Sequence, residues 1–512
     1  MAWARRDGVP STIWGLVDER AAATPDALFA VDQDGRALRF GELATSAERV
    51  AAGLQEQGVG PATVVAWQLP NWLESAVLSL ALCRLGATQV PLVAMLRHRE
   101  VSFICRQTRA ELLVTPGIWR GFDYRSMATA LTAALPALRT IVAERHLPEA
   151  DPGGLPPAPV APSRWLYYTS GTTAEPKGAI HSDPTLLAAA IGFLRALRIT
   201  DGDRLTMVIP FTHIGGVVHL LTALTTGCSL VFCEVFDPER TTQQLRDQHA
   251  TILPGGLPFA QAFFAFQDQH PELDPLFPDA RLMIHGGSPK PRWLHTQVKQ
   301  RLCPSGVISG YGMTECPMLA WSTPDDPDDD IATSEGRPVP GVEVIAVAPD
   351  GTPLGPGEPG ELRVRGPQLM AGYVDAALDA TAFDAQGYFC TGDVGYLSAR
   401  GRVVISGRSK DVIIRNMENI AAAEIEELLL AHPAVRDVAV IGVADPVTGE
   451  RVCAVVVPED PDLPPSLEEL NAHLDSVGLS RHKLPERLEV VADLPRNAMG
   501  KLRKAELRRQ FA

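Results

Sequence analysis

Leu43, Ala47, Val50 and Leu54 recur at helical spacing and stop before Gly58, so a helix with one apolar stripe is expected there. The apolar run Val64 to Leu69 follows and reads as a buried strand. A second helix over Asn71 to Leu82 and a strand near Thr88 to Leu92 continue the alternation. Helix and strand in turn give a parallel sheet covered by helices, the α/β class. The stretch Trp72 to Met95 is the most apolar of the chain, but Glu74, Arg84 and Pro91 interrupt it. A membrane span needs about 20 predominantly apolar residues, so a buried helix and strand are expected and no integral membrane segment.

The pattern changes three times further on. PGGLPPAPVAP at Pro152 to Pro162 cannot hold regular structure and delivers the chain to a short strand, Trp165 to Tyr168. Between Gly341 and Gly366 short β-rich runs separated by Gly/Pro turns predict a small antiparallel sheet or barrel. After Gly407 the pattern is compact α+β, with a helix near Ala421 to Leu430, strands at Val438 to Val443 and Val452 to Val457, and a helix after Ser466. The expected organisation is a large N-terminal domain of α/β subdomains plus a β-barrel-like subdomain over 1–409, and a small mobile α+β domain over 410–512. At 512 residues the chain exceeds what one core usually supports.

Composition narrows the function. Hydrophobic residues are 46% and charged residues 21%, ordinary globular values. A formal net charge of -15 argues against a general attraction to nucleic acid or anionic membranes, so any polyanionic ligand needs locally gathered donors. The eight cysteines are scattered without metal spacing and fit a reducing compartment. Met1 to Glu19 has no uninterrupted apolar core, so no secretory signal is expected and the location expected is cytoplasmic. The acidic run PDDPDDD at Pro324 to Asp330 lacks cation-loop spacing and is expected to be a solvated loop.

The chemistry begins at YTSGTTAEPKG, Tyr168 to Gly178, which places three threonines, a serine and glycine on a turn with Lys177 close behind. Backbone N–H groups, hydroxyls and the ammonium could all face phosphate oxygens. The loop lacks the ordinary P-loop pattern and resembles the signature of the adenylate-forming superfamily: acyl-CoA synthetases, adenylation domains and luciferases. PFTHIGG from Pro210, HGGSPKP from His285, YGMTE from Tyr311, TGD from Thr391, GRSKD from Gly407 and PRNAMGK from Pro495 follow in the superfamily's order. Singly, each has a bland reading as a surface turn or a solvated charge; order and spacing together favour the resemblance.

That resemblance implies roles residue by residue. Thr169, Ser170, Gly171, Thr172, Thr173 and Lys177 would hold the β- and γ-phosphates of ATP. Gly286, Gly287, Ser288 and Tyr311 would form the adenine pocket, Thr314 would meet the α-phosphate, and Glu315 would help hold Mg²⁺. Asp393 and Arg408 would take the ribose, Lys410 would be the hinge, and Lys501 would bridge the acid and the α-phosphate. Phe211, His213, Ile214 and Gly215 would line the acyl pocket, which offers no acid for a substrate amine, so a fatty, alicyclic or aromatic acid is expected. The segment Asn416 to Ile420 keeps the E-N-I portion of the CoA-ligase element but has Asn416 and Met417 where glycines are usual. The implied activity is an acyl-CoA synthetase with ATP and CoA as cosubstrates. The alternatives are an acyl-AMP ligase serving a carrier protein and a silent nucleotide-binding scaffold.

Overall fold

The computed structural model describes residues 11–169, 176–287, 290–408, 412–415, 418–445, 449–477, 479, 483–497 and 501–511. The alternation read from the N-terminal third becomes helices Phe40–Glu56 and Leu73–Leu85 and strands Val64–Trp67 and Thr88–Pro91. Helix Leu73–Leu85 is buried on every side but Glu74, because it is packed into the core rather than laid on it. It ends on Gly86 at φ 70°, a left-handed cap that a side chain would strain.

Two large sheets result. The six-stranded sheet runs in the order 177–182, 164–169, 88–91, 64–67, 112–115, 139–142. It is parallel except for the outer hairpin 164–169/177–182. The nine-stranded sheet has parallel strands 28–31, 229–232, 204–207, 252–253, 282–286 and 307–311 at its centre, with antiparallel strands added at both edges. One continuous core links the sheets, drawing on helices Phe40–Glu56, Leu73–Leu85, Asp183–Leu197 and Ile214–Thr226.

The β-rich stretch is a four-stranded antiparallel sheet, 343–347, 360–365, 389–397 and 403–408. The last described residues build a separate small sheet, 418–421, 412–415, 449–458 and 435–445 with 487–490 alongside, covered by helices 422–429, 467–476 and 504–511 and holding its own core. An ion pair, Arg292 to Glu427 at 3.1 Å, joins it to the large domain.

One expectation needs correction. The acidic run is exposed in part, as expected, but it is not wholly a loop: it turns into a short helix, Asp328–Thr333, and several of its carboxylates are paired. Asp326 meets Arg337 at 3.0 Å and also Arg402, Asp330 meets Arg400 at 2.9 Å and Arg402 at 3.1 Å, and Asp328 meets Lys299 at 2.7 Å. Arg402, only 1% exposed, brings a charge inward that these acids must neutralise. The arginines come from distant segments, so the pairing was invisible in the local run.

Candidate active site

Doubly wound sheets bind ligands at the carboxyl ends of their parallel strands. Strand Leu282–Gly286 ends in the glycines expected at adenine, and strand Val307–Tyr311 ends at Tyr311 and leads into Thr314 and Glu315. The two strands are in register, with Gly286 opposite Gly310. After strand Arg204–Met207 the chain turns through Phe211 to His213, which caps helix Ile214–Thr226 by accepting the Gly215 N–H at Nδ1, 3.2 Å. Asn71 sets that turn: its amide donates to the carbonyls of Met207, Ile209 and Cys233, and its oxygen accepts the Phe211 N–H at 2.6 Å. Nothing in the local sequence around Asn71 announces this role.

The phosphate-loop candidate joins the two strands of the hairpin, with Thr169 paired to Lys177 across it. A loop closing a β-hairpin differs in kind from the strand-to-helix P-loop that its sequence also lacks. Ser170, Gly171, Thr172 and Thr173 lie outside the described residues, as do Ser288 and Lys410. The segment 371–374 runs beside the outer strand, Ile180 N–H to the Gly372 carbonyl and Val374 N–H to the Gly178 carbonyl, and so brings in Tyr373. The Tyr373 hydroxyl donates to Glu315 Oε1 at 2.8 Å, and the Lys177 ammonium stands 5.8 Å from the Tyr373 ring centre. Lys177 and Glu315, 138 positions apart by number in the chain, therefore converge on one aromatic residue that the motif reading missed.

His181, on the same outer strand, is a second residue the motifs did not reveal. Its Nε2 meets the Thr314 carbonyl at 2.8 Å, which requires the proton on Nε2 and fixes the backbone of the YGMTE turn. Burial pushes its pKa down to about 4, and burial does the same to His213 and His219. All three are neutral at pH 7. For the near-fully buried His181 and His219 the folded pKa lies below the unfolded value, so the unfolded state binds more protons and stability falls as pH drops below about 6.5. Each is expected to cost about 2 kcal/mol by pH 5. Thermal melts between pH 7 and 5 check this, and a His181→Gln variant should show a shallower acid slope.

The ribose candidates come together as well. Asp393, 4% exposed, accepts the Tyr311 hydroxyl at 2.6 Å, and its backbone pairs with Arg408 in the neighbouring strand. Thr391 turns its hydroxyl to the Leu362 carbonyl at 2.6 Å and accepts the Asp393 N–H, shaping the bend that presents the carboxylate. Behind the adenine strand, Lys290 donates to Ser309 Oγ at 2.8 Å and to the Ile331 carbonyl, tying the HGGSPKP turn to the strand of Tyr311. Burial lowers its pKa to about 8, opposed by the nearby Glu335, whose own carboxyl burial raises to about 7.

Thr314, His213 and Ile214 line one narrow recess with Tyr167, Tyr168 and Leu92. Phe211 stands apart from these: it is 2% exposed and packs on Trp67 and Phe232. Lys501 lies in the small domain, where its N–H meets Asn497 Oδ1 at 2.9 Å and its carbonyl accepts the Asn497 N–H at 2.8 Å. The helix that follows is pinned by Lys504 to Glu426 at 2.7 Å, both nearly buried.

Residues 17–374 match the AMP-binding enzyme family and residues 424–501 match the AMP-binding enzyme C-terminal domain. The chain is 31% identical over 524 residues to the medium-chain fatty-acid–CoA ligase of Escherichia coli (strain K12), spanning 98% of this chain and 91% of that protein. It is 33% identical to the salicyl-AMP ligase / salicyl-S-ArCP synthetase of Mycobacterium tuberculosis, again over 98% and 91%. Among solved structures it resembles ATP-bound MatB from Rhodopseudomonas palustris with a TM-score of 0.87 and 28% identity, over 97% of this chain and 99% of that one.

Proposed function

This chain belongs to the AMP-binding enzyme family, and from that premise we propose an ATP-dependent acyl-CoA synthetase acting on a carboxylic acid without an amine. The supporting observation is the convergence of Lys177, Tyr373 and Glu315 on one side and Tyr311 with Asp393 on the other, brought together from three sheets around the end of strand Val307–Tyr311. A nucleotide placed there has its phosphates toward the hairpin loop and its ribose toward Asp393. A carboxylate oxygen of the acid attacks the α-phosphorus and pyrophosphate leaves. The CoA sulfur, having lost its proton, then attacks the acyl carbonyl and AMP leaves. The relative with a medium-chain fatty-acid–CoA ligase activity supports the acceptor.

The residues divide the work. Lys177 and the loop hydroxyls neutralise and orient the leaving phosphates, and Thr314 meets the α-phosphate. Glu315 suits Mg²⁺, which is usually held by one or two carboxylates and substrate phosphates: Tyr373 takes one of its oxygens and steadies it. That ion would neutralise charge on the phosphates. Arg408 contacts the ribose beside Asp393. His213 and Ile214, with Gly215 behind them, bound the acyl side with a neutral ring and apolar surface, which suits an uncharged acyl group.

Lys410 is the hinge between 1–409 and 410–512, and its rotation brings Lys501 to the site for the first step and exposes the acyl-adenylate to the thiol for the second. Among the described residues no helix is long and apolar enough to cross a membrane. The cysteines are unpaired, seven of them buried, which fits work in the reducing cytoplasm. A pyrophosphate-release screen across acid classes, with and without CoA, tests the whole reading. The expected result is acid-dependent release and a thioester when CoA is present. Release in which only a carrier-protein phosphopantetheine is acylated would transfer the chain to the acyl-AMP ligase class, to a member of which, a salicyl-AMP ligase, it is 33% identical. No release from any acid would overturn activation itself.

A further inference from the structure

The strand ends beneath the nucleotide residues are bare of side chains. A Cβ on Gly286 would meet the Gly310 carbonyl at 3.1 Å. On Gly310 the obstacle is bulkier, since a Cβ there would lie 2.3 Å from the indole of Trp321. Trp321 stands opposite Gly310 on the antiparallel strand Ala320–Trp321, so its ring fills the space that residue 310 leaves empty. It is 6% exposed and meets Phe193 edge-on, with ring centres 5.1 Å apart. Phe193 in turn stacks on His219 at 5.4 Å and 20°. His219 belongs to the helix that His213 caps. The three rings thus run as one wall from the strand of Tyr311 to the helix of His213, in the same core as Ile214 and Phe211.

Two polar atoms of that wall, Trp321 Nε1 and His219 Nδ1, are buried with no partner among the described residues. Buried polar atoms are rarely left so, and hydrogen bonds from these two nitrogens do not account for the rings being in place. Their bulk does. We infer that Trp321 is a specificity-determining residue that sets the depth of the acyl site, and that the acid accepted is compact, a short chain or a single ring rather than a long-chain fatty acid. The inference rests on the acyl-activating reading above. From Thr314 the strand of Tyr311 leads back to Gly310, and a chain that ran inward along that strand would meet the indole in the space residue 310 leaves.

The test is kcat/KM for pyrophosphate release along a series from butanoate to palmitate, with benzoate and phenylacetate added. The unaltered protein is expected to peak at the short-chain or single-ring end. Trp321→Ala should raise the ratio for dodecanoate over butanoate by about tenfold or more, the scale on which a few methylenes are discriminated, with KM for ATP unchanged. Trp321→Leu, a milder cut, should shift the profile partway and serves if the alanine variant does not fold. An optimum at palmitate in the unaltered protein, or variant profiles superimposable on it, would overturn the depth assignment while leaving acyl activation standing. Absence of release from every acid would instead remove the activation reading, and this inference with it.

Discussion

Lys501→Ala is expected to lower acid-dependent ATP–pyrophosphate exchange by about 10²–10³-fold, the usual loss when one preorganised charge or donor is taken from a transition state. The first step pushes a carboxylate toward a phosphate, two anions whose repulsion a placed ammonium offsets. The residues proposed to hold ATP, among them Tyr311 and Asp393, belong to the large domain, so ATP binding, measured by calorimetry, should change little. Supplied with ready-made acyl-adenylate, the variant should still pass the acyl group to CoA, because no carboxylate then approaches phosphorus. Near-normal exchange in the variant would remove Lys501 from the step. Asn497 holds the Lys501 backbone and the Lys504–Glu426 pair holds the helix that follows, neither through the Lys501 ammonium, so the substitution tests charge rather than folding.

Asp393→Ala should raise KM for ATP by about 10²-fold, since hydrogen bonds to a charged group are worth roughly 1.5–3 kcal/mol each and two ribose hydroxyls would lose their acceptor. The buried Tyr311 hydroxyl loses its partner too, held at 2.6 Å in the intact protein. Tyr311→Phe separates the two contributions: it keeps the ring proposed to meet adenine and the carboxylate proposed to take the ribose, and a rise of no more than about tenfold is expected. Steady-state kinetics with ATP varied at saturating acid measures both. Equal KM values in Asp393→Ala and the intact protein would place the ribose elsewhere.

Much of the architecture was legible before any coordinates. The helix read from Leu43 to Leu54 lies within Phe40–Glu56, and the β-rich run near Gly341 to Gly366 falls on strands 343–347 and 360–365. Helical and strand periodicity are local properties, set by which residues of one segment face the core. The acidic run shows the opposite case. Its composition said solvent, but arginines remote in the chain claim its carboxylates.

The site divides along the same line. Short motifs named Lys177, Thr314, Glu315, Tyr311 and Asp393, because phosphate, metal and ribose chemistry demands particular side chains on particular turns. They could not name Tyr373, His181, Asn71 or Trp321, whose neighbourhoods carry no chemical signature. Tyr373 matters because a segment far along the chain runs beside the phosphate hairpin, and Trp321 because it faces a glycine across two strands. By itself, then, the sequence determined the α/β layering, the family and the identity of the groups that can handle ATP, all of which depend on residue type and spacing within a segment. Only the tertiary structure decided which distant groups brace them and which ring fills the space over Gly310, since contact and volume arise from packing between segments that the chain order keeps apart.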